Sequence, residues 1–253
     1  MSILDNRIIL VTGAARGLGK AFALACAQAG ARTVIVADIL EDLGRATSEE
    51  IAATGVESYF VPLDLGDPQS IENLARVIEG KSGRLDGLLN NAAIATGIGG
   101  KTFDDIDIET WDKVMSVNVR GTWLIIKALA PLLRKSSVGG RIVNLASDTA
   151  LWGAPRLLHY VASKGAIISM TRSLARELGE DRIAINAIAP GLVRVEATEY
   201  VPADRHALYE NGRALKGAQH PDDVTGAAVF FLSSQTGFVT GQVLPVNGGF
   251  VFN

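Results

Sequence analysis

The chain predicts a doubly wound α/β fold, one mostly parallel seven-stranded sheet with helices on both faces. Three observations predict it. Short aliphatic runs alternate with longer helix-periodic stretches through all 253 residues. Most of the aliphatic runs are continuous rather than alternating, as parallel strands covered on both faces require. A glycine-rich turn follows the first run directly and opens a helix. Strand–helix alternation of this kind implies right-handed crossovers between parallel neighbours.

The strands are predicted at 7–12 (RIILVT), 33–38 (TVIVAD), 57–64, 85–91, 140–147 (GRIVNLAS), 183–190 (IAINAIAP) and 242–248. Helices are predicted near 17–29, 41–53, 68–80, 109–135, 155–178 and 221–233. Gly30 is a natural stop for the first helix, because a left-handed residue closes a helix at low cost when it is glycine. Pro221 stands where the last helix begins, where its missing N–H is harmless. There is no internal repeat, low-complexity tract or linker-like shift in composition, so residues 1–253 are expected to form a single domain. The 191–220 segment reads as one long irregular region, and loops of that length in a compact domain usually serve as lids or binding loops. It is expected to be the substrate-binding loop.

Composition narrows the function. With 48% hydrophobic and 20% charged residues and a formal net charge of −3, the chain gives no electrostatic reason to bind nucleic acid or an anionic membrane. No apolar run approaches the roughly 20 residues that span a bilayer, and the start reads as a strand entering a turn rather than a signal peptide. The lone Cys26 excludes an internal disulfide and fits a reducing compartment. A cytoplasmic protein is expected.

The turn VTGAARGLG places Gly13, Gly17 and Gly19, with Arg16 and Leu18 between them, at the entrance to a helix. Glycines allow close backbone approach to a pyrophosphate, and the helix end supplies free N–H groups and a positive dipole. Asp38 closes the second strand at the spacing expected of a carboxylate on a ribose 2′-OH. It would repel a 2′-phosphate, which favours NAD. Arg16 argues the other way, since a basic residue could pair with that phosphate and admit NADP.

Tyr160 and Lys164 lie four residues apart in HYVASKG, hence on one helix face. A free phenol, with a pKa of about 10, is too weak a base to accept an alcohol proton near neutrality. A neighbouring ammonium favours the phenolate and is expected to lower that pKa. Ser147 ends a strand just before this helix, and open α/β sheets bind ligands at the carboxyl ends of their strands. Its hydroxyl is placed to hold a substrate oxygen. Asn118 is an isolated polar residue on an otherwise apolar stretch of helix.

These residues resemble the short-chain dehydrogenase/reductase family, a Rossmann-type family of single-domain NAD(P)-dependent enzymes, over essentially the whole chain. The ordered set is TGAARGLG (12–19), Asp38, LDL with Asp64, NNAA (90–93), Asn118, Ser147, YVASK (160–164) and Pro190–Gly191. The resemblance implies that Tyr160 is the general acid/base, and that Lys164 lowers its pKa and binds the nicotinamide ribose. Ser147 would orient the substrate oxygen, and Asn118 would maintain a water-linked proton relay through Lys164. Asp64 and Leu65 would contact adenine, Asn91 the adenosine ribose, and the Val193 backbone the carboxamide, with Pro190 and Gly191 in the same cofactor turn. A homotetramer is implied, with the apolar tail GGFVFN near a subunit contact. Two positions depart from the pattern: Ala93 replaces a frequent glycine, and Val195 a common threonine.

The expected activity is therefore hydride transfer between NAD(H) and a secondary alcohol or ketone. Trp152 and Tyr200 are candidate substrate contacts, and the aromatic content near them points weakly to an aromatic or cyclic substrate. The alternatives are an NADPH-dependent 3-oxoacyl-thioester reductase and, from another class, a nucleotide-binding sensor or scaffold with a vestigial site. His159, His206 and His220 show no metal-ligand spacing, so no metal is expected. His159 points about 100° away from Tyr160 around the helix and reads as structural or as a subunit contact.

Overall fold

The computed structural model describes residues 2–252. Seven strands form one sheet in the order β3-β2-β1-β4-β5-β6-β7. They are β1 (Ile8–Thr12), β2 (Thr33–Asp38), β3 (Glu57–Pro62), β4 (Gly87–Asn90), β5 (Arg141–Leu145), β6 (Ala184–Pro190) and β7 (Val243–Val246). Every neighbouring pair is parallel. All carboxyl ends therefore share one edge, and Thr12, Asp38, Asn90 and Pro190 meet there. The strand order reverses between β1 and β4, the crevice where doubly wound sheets bind ligands.

Both faces are covered, as the unbroken strand hydrophobicity requires. The helices α1 (Gly17–Gln28), α2 (Glu41–Ala52), α3 (Pro68–Ser82), α4 (Ile108–Met115) and α5 (Thr122–Arg134) follow in chain order, then α6 (Thr149–Trp152), α7 (Leu158–Glu177), α8 (Ala203–Gly212) and α9 (Asp222–Leu232). Ile9 and Val11 of β1 pack with Phe22 and Cys26 of α1 and Phe231 of α9. Their neighbours Ile8 and Leu10 face the other way, toward Leu74 of α3, Leu129 of α5 and Ala175 of α7. That alternation is the period of two of a strand serving two cores. Leu88 of β4 is fully buried in the second of these cores. Leu88→Ala is expected to cost about 2–5 kcal/mol, the range for a deleted core leucine. Urea unfolding would register this as a lower midpoint at unchanged slope.

The predicted strands agree with the observed ones to within a few residues, while two predicted helices and the 191–220 segment differ. The 109–135 stretch is α4 and α5 joined by a π-helical turn, Ser116–Gly121, that carries Asn118. The 155–178 stretch starts three residues later, and α6 stands apart from it. The 191–220 segment is not irregular: it holds a 3₁₀ turn, Glu196–Thr198, and the helix α8. Only two residues of α8, His206 and Tyr209, are buried, so its hydrophobic signal is too thin for periodicity to detect.

Candidate active site

The glycine turn is shaped by steric need. Gly13 and Gly17 have φ of 65° and 55°, left-handed values that favour glycine. A Cβ on Gly13 would stand 2.8 Å from Ala92 Cα, and one on Gly19 only 1.9 Å from the Gly13 carbonyl oxygen. The turn is bolted to β4: the Asn91 amide donates to the carbonyls of Thr12 and Gly13, both at 3.1 Å, and the Thr12 hydroxyl accepts from the N–H groups of Asn91 and Ala92, also at 3.1 Å. Asn91 thus braces the turn. The first turn of α1 holds no acidic residue and no side-chain cap, so its amides and dipole are open to an anion. A dinucleotide pyrophosphate fits this cradle.

Asp38 is buried at the end of β2 and points at the same turn. Its Oδ2 accepts from the Ala15 N–H at 2.9 Å and its Oδ1 from Leu40 N–H at 3.0 Å. An ionised carboxylate has about four acceptor sites, which leaves capacity for a ribose hydroxyl. Arg16 is exposed. Asp64 is exposed and caps its own turn through Gly66 N–H at 2.7 Å, and Leu65 is buried beside it. The Cys26 thiol is sealed in the core and pushed up to about 12 by burial, which makes it inert.

Ser147, Tyr160 and Lys164 converge at the carboxyl edge. The Ser147 hydroxyl lies close enough to the Tyr160 phenol to favour its ionised form, and it accepts from the Thr149 hydroxyl at 2.9 Å. Lys164 Nζ donates to the Leu145 carbonyl at 2.7 Å and stands 5.5 Å from the centre of the Tyr160 ring. Lysine and tyrosine share one helix face, as the spacing predicts. The expected electrostatics do not follow. Burial is the largest influence on Tyr160 and pushes its phenol well above the ordinary value; the Ser147 hydroxyl opposes it, while Tyr200 and Asp148 push it further up. Burial also brings Lys164 down to about 8. Its ammonium is engaged by a backbone carbonyl, and burial is the dominant influence on both groups.

Asn118 sits in the π-helical turn, a distortion that often marks functional positions. Its Oδ1 accepts from Ile94 N–H at 2.7 Å, and its Nδ2 donates to Ile94 O at 3.0 Å and Ser163 Oγ at 3.2 Å. Ser163 in turn donates to the Tyr160 carbonyl at 2.7 Å. The direct contacts of Asn118 thus tie the loop after β4 to the tyrosine helix.

The 191–220 segment begins over the glycine turn, with Val195 Cβ 3.7 Å from where a Cβ on Gly17 would stand. The Thr198 hydroxyl donates to the carbonyl of Val193 at 2.6 Å and accepts from Val195 N–H at 3.1 Å, placing a hydroxyl beside the position where Val195 lacks one. The Tyr200 hydroxyl donates to Ala95 O at 2.7 Å and influences Tyr160. Trp152 is half-buried; its indole N–H donates to the Tyr209 hydroxyl at 3.1 Å, and its ring packs edge-on against Tyr209 and Phe250. His159 is fully buried and neither ring nitrogen has a hydrogen-bond partner; it lies inside the chain, which corrects the reading of it as a subunit contact. His206 and Tyr209 are likewise buried. The sequence marks Asp148 only as an acidic residue among small ones directly after Ser147.

The glycine cradle on a doubly wound sheet, with a serine, tyrosine and lysine gathered at the same edge, is the architecture of a nicotinamide-dinucleotide oxidoreductase. The family model described as Enoyl-(Acyl carrier protein) reductase matches residues 13–251. The chain belongs to the short-chain dehydrogenase/reductase family. It is 36% identical over 257 residues to galactitol 2-dehydrogenase of Agrobacterium fabrum, covering 97% of this chain and 98% of that one. It is 34% identical over 253 residues to the 3-oxoacyl-[acyl-carrier-protein] reductase FabG of Thermotoga maritima, with 98% and 99% covered. The crystal structure of a short-chain type dehydrogenase/reductase from Mycobacterium marinum superposes with a TM-score of 0.91 at 30% identity, covering 99% of this chain and 97% of the other. Among the described residues no helix is long and apolar enough to cross a membrane.

Proposed function

We propose that this chain transfers a hydride between NAD(H) and a secondary alcohol or ketone, acting as one domain with residues 191–220 as its substrate segment. The observation that carries this reading is the meeting of Ser147, Tyr160 and Lys164 on the sheet edge that also carries the glycine turn. The nicotinamide, when bound, supplies the hydride acceptor or donor; that chemistry belongs to the cofactor. The chain holds it through Gly13, Gly17, Leu18 and Gly19 at the pyrophosphate and Asp38 at the adenosine ribose. Asp64, Leu65 and Asn91 line the adenosine side. Pro190, Gly191 and the Val193 backbone form the nicotinamide end, with Lys164 at its ribose. Ser147 orients the substrate oxygen, and Tyr160 exchanges the proton on that oxygen. Asn118 fixes the tyrosine helix and keeps the relay toward Lys164 in register. Tyr200 closes the substrate side, with Trp152 behind it.

Asp38 supports NAD over NADP, because a buried carboxylate repels a 2′-phosphate. Steady-state rates over a panel of polyols and cyclic secondary alcohols, read as NADH absorbance, test the assignment. NAD⁺ is expected to exceed NADP⁺ in kcat/KM, and Asp38→Ala to narrow that ratio about tenfold or more, roughly one charge interaction in a partly desolvated site. No reduction of either cofactor by any member of the panel would sink the assignment. A second reading, an NADPH-linked 3-oxoacyl-thioester reductase, is favoured by exposed Arg16 at the phosphate turn, by the family description and by the resemblance to FabG. A preference for NADPH with a 3-oxoacyl thioester would decide for it.

Assembly as a homotetramer in the cytoplasm is part of the proposal. Phe252 near the end of the chain is 76% exposed, an apolar surface suited to a subunit contact; Asn253 of the same tail lies outside the described residues. Light scattering should give four times the 26.7 kDa chain mass.

A further inference from the structure

Asp148 follows Ser147 directly and has no exposed surface. A carboxylate so placed is costly unless each oxygen meets a donor, and here the donors come from distant segments. Tyr209 of α8 donates its hydroxyl to Oδ1 at 2.9 Å, and Asn247, after β7, donates its amide to Oδ2 at 3.4 Å. The Asp148 N–H donates to Pro190 O at 3.0 Å, and its carbonyl accepts from Leu151 and Trp152 at 2.8 and 3.1 Å. A Cβ on Gly191 would stand 3.2 Å from Oδ2, so the carboxylate also lies against the turn after β6. Arg213 faces the same cluster: its guanidinium lies 5.5 Å from the centre of the Tyr209 ring and donates to Leu192 O at 2.9 Å and Gln219 Oε1 at 3.2 Å. Tyr209 is itself fixed from behind, stacked on Phe250 at 4.4 Å.

We propose that Asp148 is a positioning residue, whose buried carboxylate sets α8 and the Pro190–Gly191 turn in place relative to Ser147. The inference rests on the assignment of Ser147 to the substrate oxygen and of Pro190–Gly191 to the cofactor. An apolar residue at 148 would leave the Tyr209 hydroxyl and the Asn247 amide without their shared acceptor. The two ends of the cluster separate by function. The Tyr209 bond governs the substrate side, and the contacts at Gly191 govern the cofactor side.

The test compares Tyr209→Phe, Asp148→Ala and Asp148→Asn with the parent, using the fastest alcohol of the panel and a fluorescence titration with NADH. Tyr209→Phe keeps the ring stack but loses the hydroxyl that donates to Asp148 and accepts from the Trp152 indole; it should raise the alcohol KM about fivefold or more while the NADH Kd stays within about twofold. Asp148→Ala should in addition weaken NADH by about fivefold or more, and Asp148→Asn, whose amide oxygen still accepts from Tyr209, should recover most of the substrate KM. An unchanged alcohol KM in Tyr209→Phe would overturn the proposal, and so would an unchanged NADH Kd in Asp148→Ala. So would uniform loss of all parameters in step with a lower Tm, which is the mark of a merely structural residue. If Asp148→Ala fails to fold, the other two variants decide. If the parent oxidises no alcohol, the functional reading fails by itself, and amide hydrogen exchange then tests the positioning. Exchange in residues 203–212 should speed up about tenfold in Tyr209→Phe, and unchanged exchange would refute it.

Discussion

Tyr160→Phe is expected to bind NADH within about twofold of the parent and to lose about a thousandfold or more in kcat. The ring, its packing on α7 and the Lys164–Leu145 hydrogen bond all remain, so neither the cradle nor the fold is disturbed. The hydroxyl that exchanges the substrate proton goes, and positioned proton transfer contributes typically 10²–10⁴ in rate. Stability should change little. The phenol, raised by burial, is neutral in the folded and unfolded protein near pH 7, so its removal changes no charge, and the Ser147 hydroxyl keeps Thr149 as a partner. The comparison is one of turnover against binding in a single protein preparation. A variant that turned over at near-parent rates would remove Tyr160 from the chemistry.

Gly19→Ala is expected to abolish NADH binding, by about a hundredfold or more, and to lower stability. Two effects compete. In a helix alanine is favoured over glycine by roughly 1 kcal/mol. Against this, the new Cβ would lie 1.9 Å from the Gly13 carbonyl oxygen and 2.5 Å from the Asn91 amide nitrogen. The first contact is backbone, and that backbone is pinned through Asn91, so it cannot yield without shifting the turn itself. Overpacking of this kind costs typically 1–3 kcal/mol and sometimes more, so the clash wins. Fluorescence titration with NADH and a thermal melt report the two consequences separately. Binding at the parent affinity would show that the turn does not cradle the pyrophosphate.

Much of this was legible because it is local. A continuous aliphatic run, a glycine turn and an i, i+4 pair each carry their meaning within a few residues, and the strands, Asp38, Ser147, Tyr160 and Lys164 stand where local rules put them. The rest depends on contacts between distant segments. The 109–135 stretch has the composition of one helix, and the π-helical turn that interrupts it shows itself only through the hydrogen bonds of Asn118 to Ile94, in the loop after β4, and to Ser163 of α7. Helix α8 buries two side chains, and its anchor, Asp148, lies 61 residues before Tyr209. No window of sequence holds both. The direction of the Tyr160 shift is also a matter of burial rather than adjacency. Spacing shows that lysine and tyrosine share a face, but not that the ammonium reaches the Leu145 carbonyl or how far both groups are removed from water.

Burial also gives Asp148 a measurable signature. Its carboxyl is raised to about 6, chiefly by burial, against the pull of Tyr209, Asn247 and Arg213. An acid raised in the folded state binds its proton more tightly there than when unfolded. Its contribution therefore favours folding at low pH and is progressively lost as pH rises from about 4 through about 6, by on the order of 3 kcal/mol at most. The difference in Tm between Asp148→Asn and the parent should consequently shift in favour of the variant between pH 5 and pH 8, values chosen to bracket about 6.

The central claim is that Ser147 and Tyr160 act on one oxygen as a single unit, and a double-mutant cycle tests it most directly. kcat would be measured for Ser147→Ala, Tyr160→Phe and the two together, at saturating cofactor. Residues that act as a unit are strongly non-additive, so the double variant should be no more than about threefold slower than the slower single one. Losses that multiplied would mean that the serine and the tyrosine work independently, and the site described here would be contradicted.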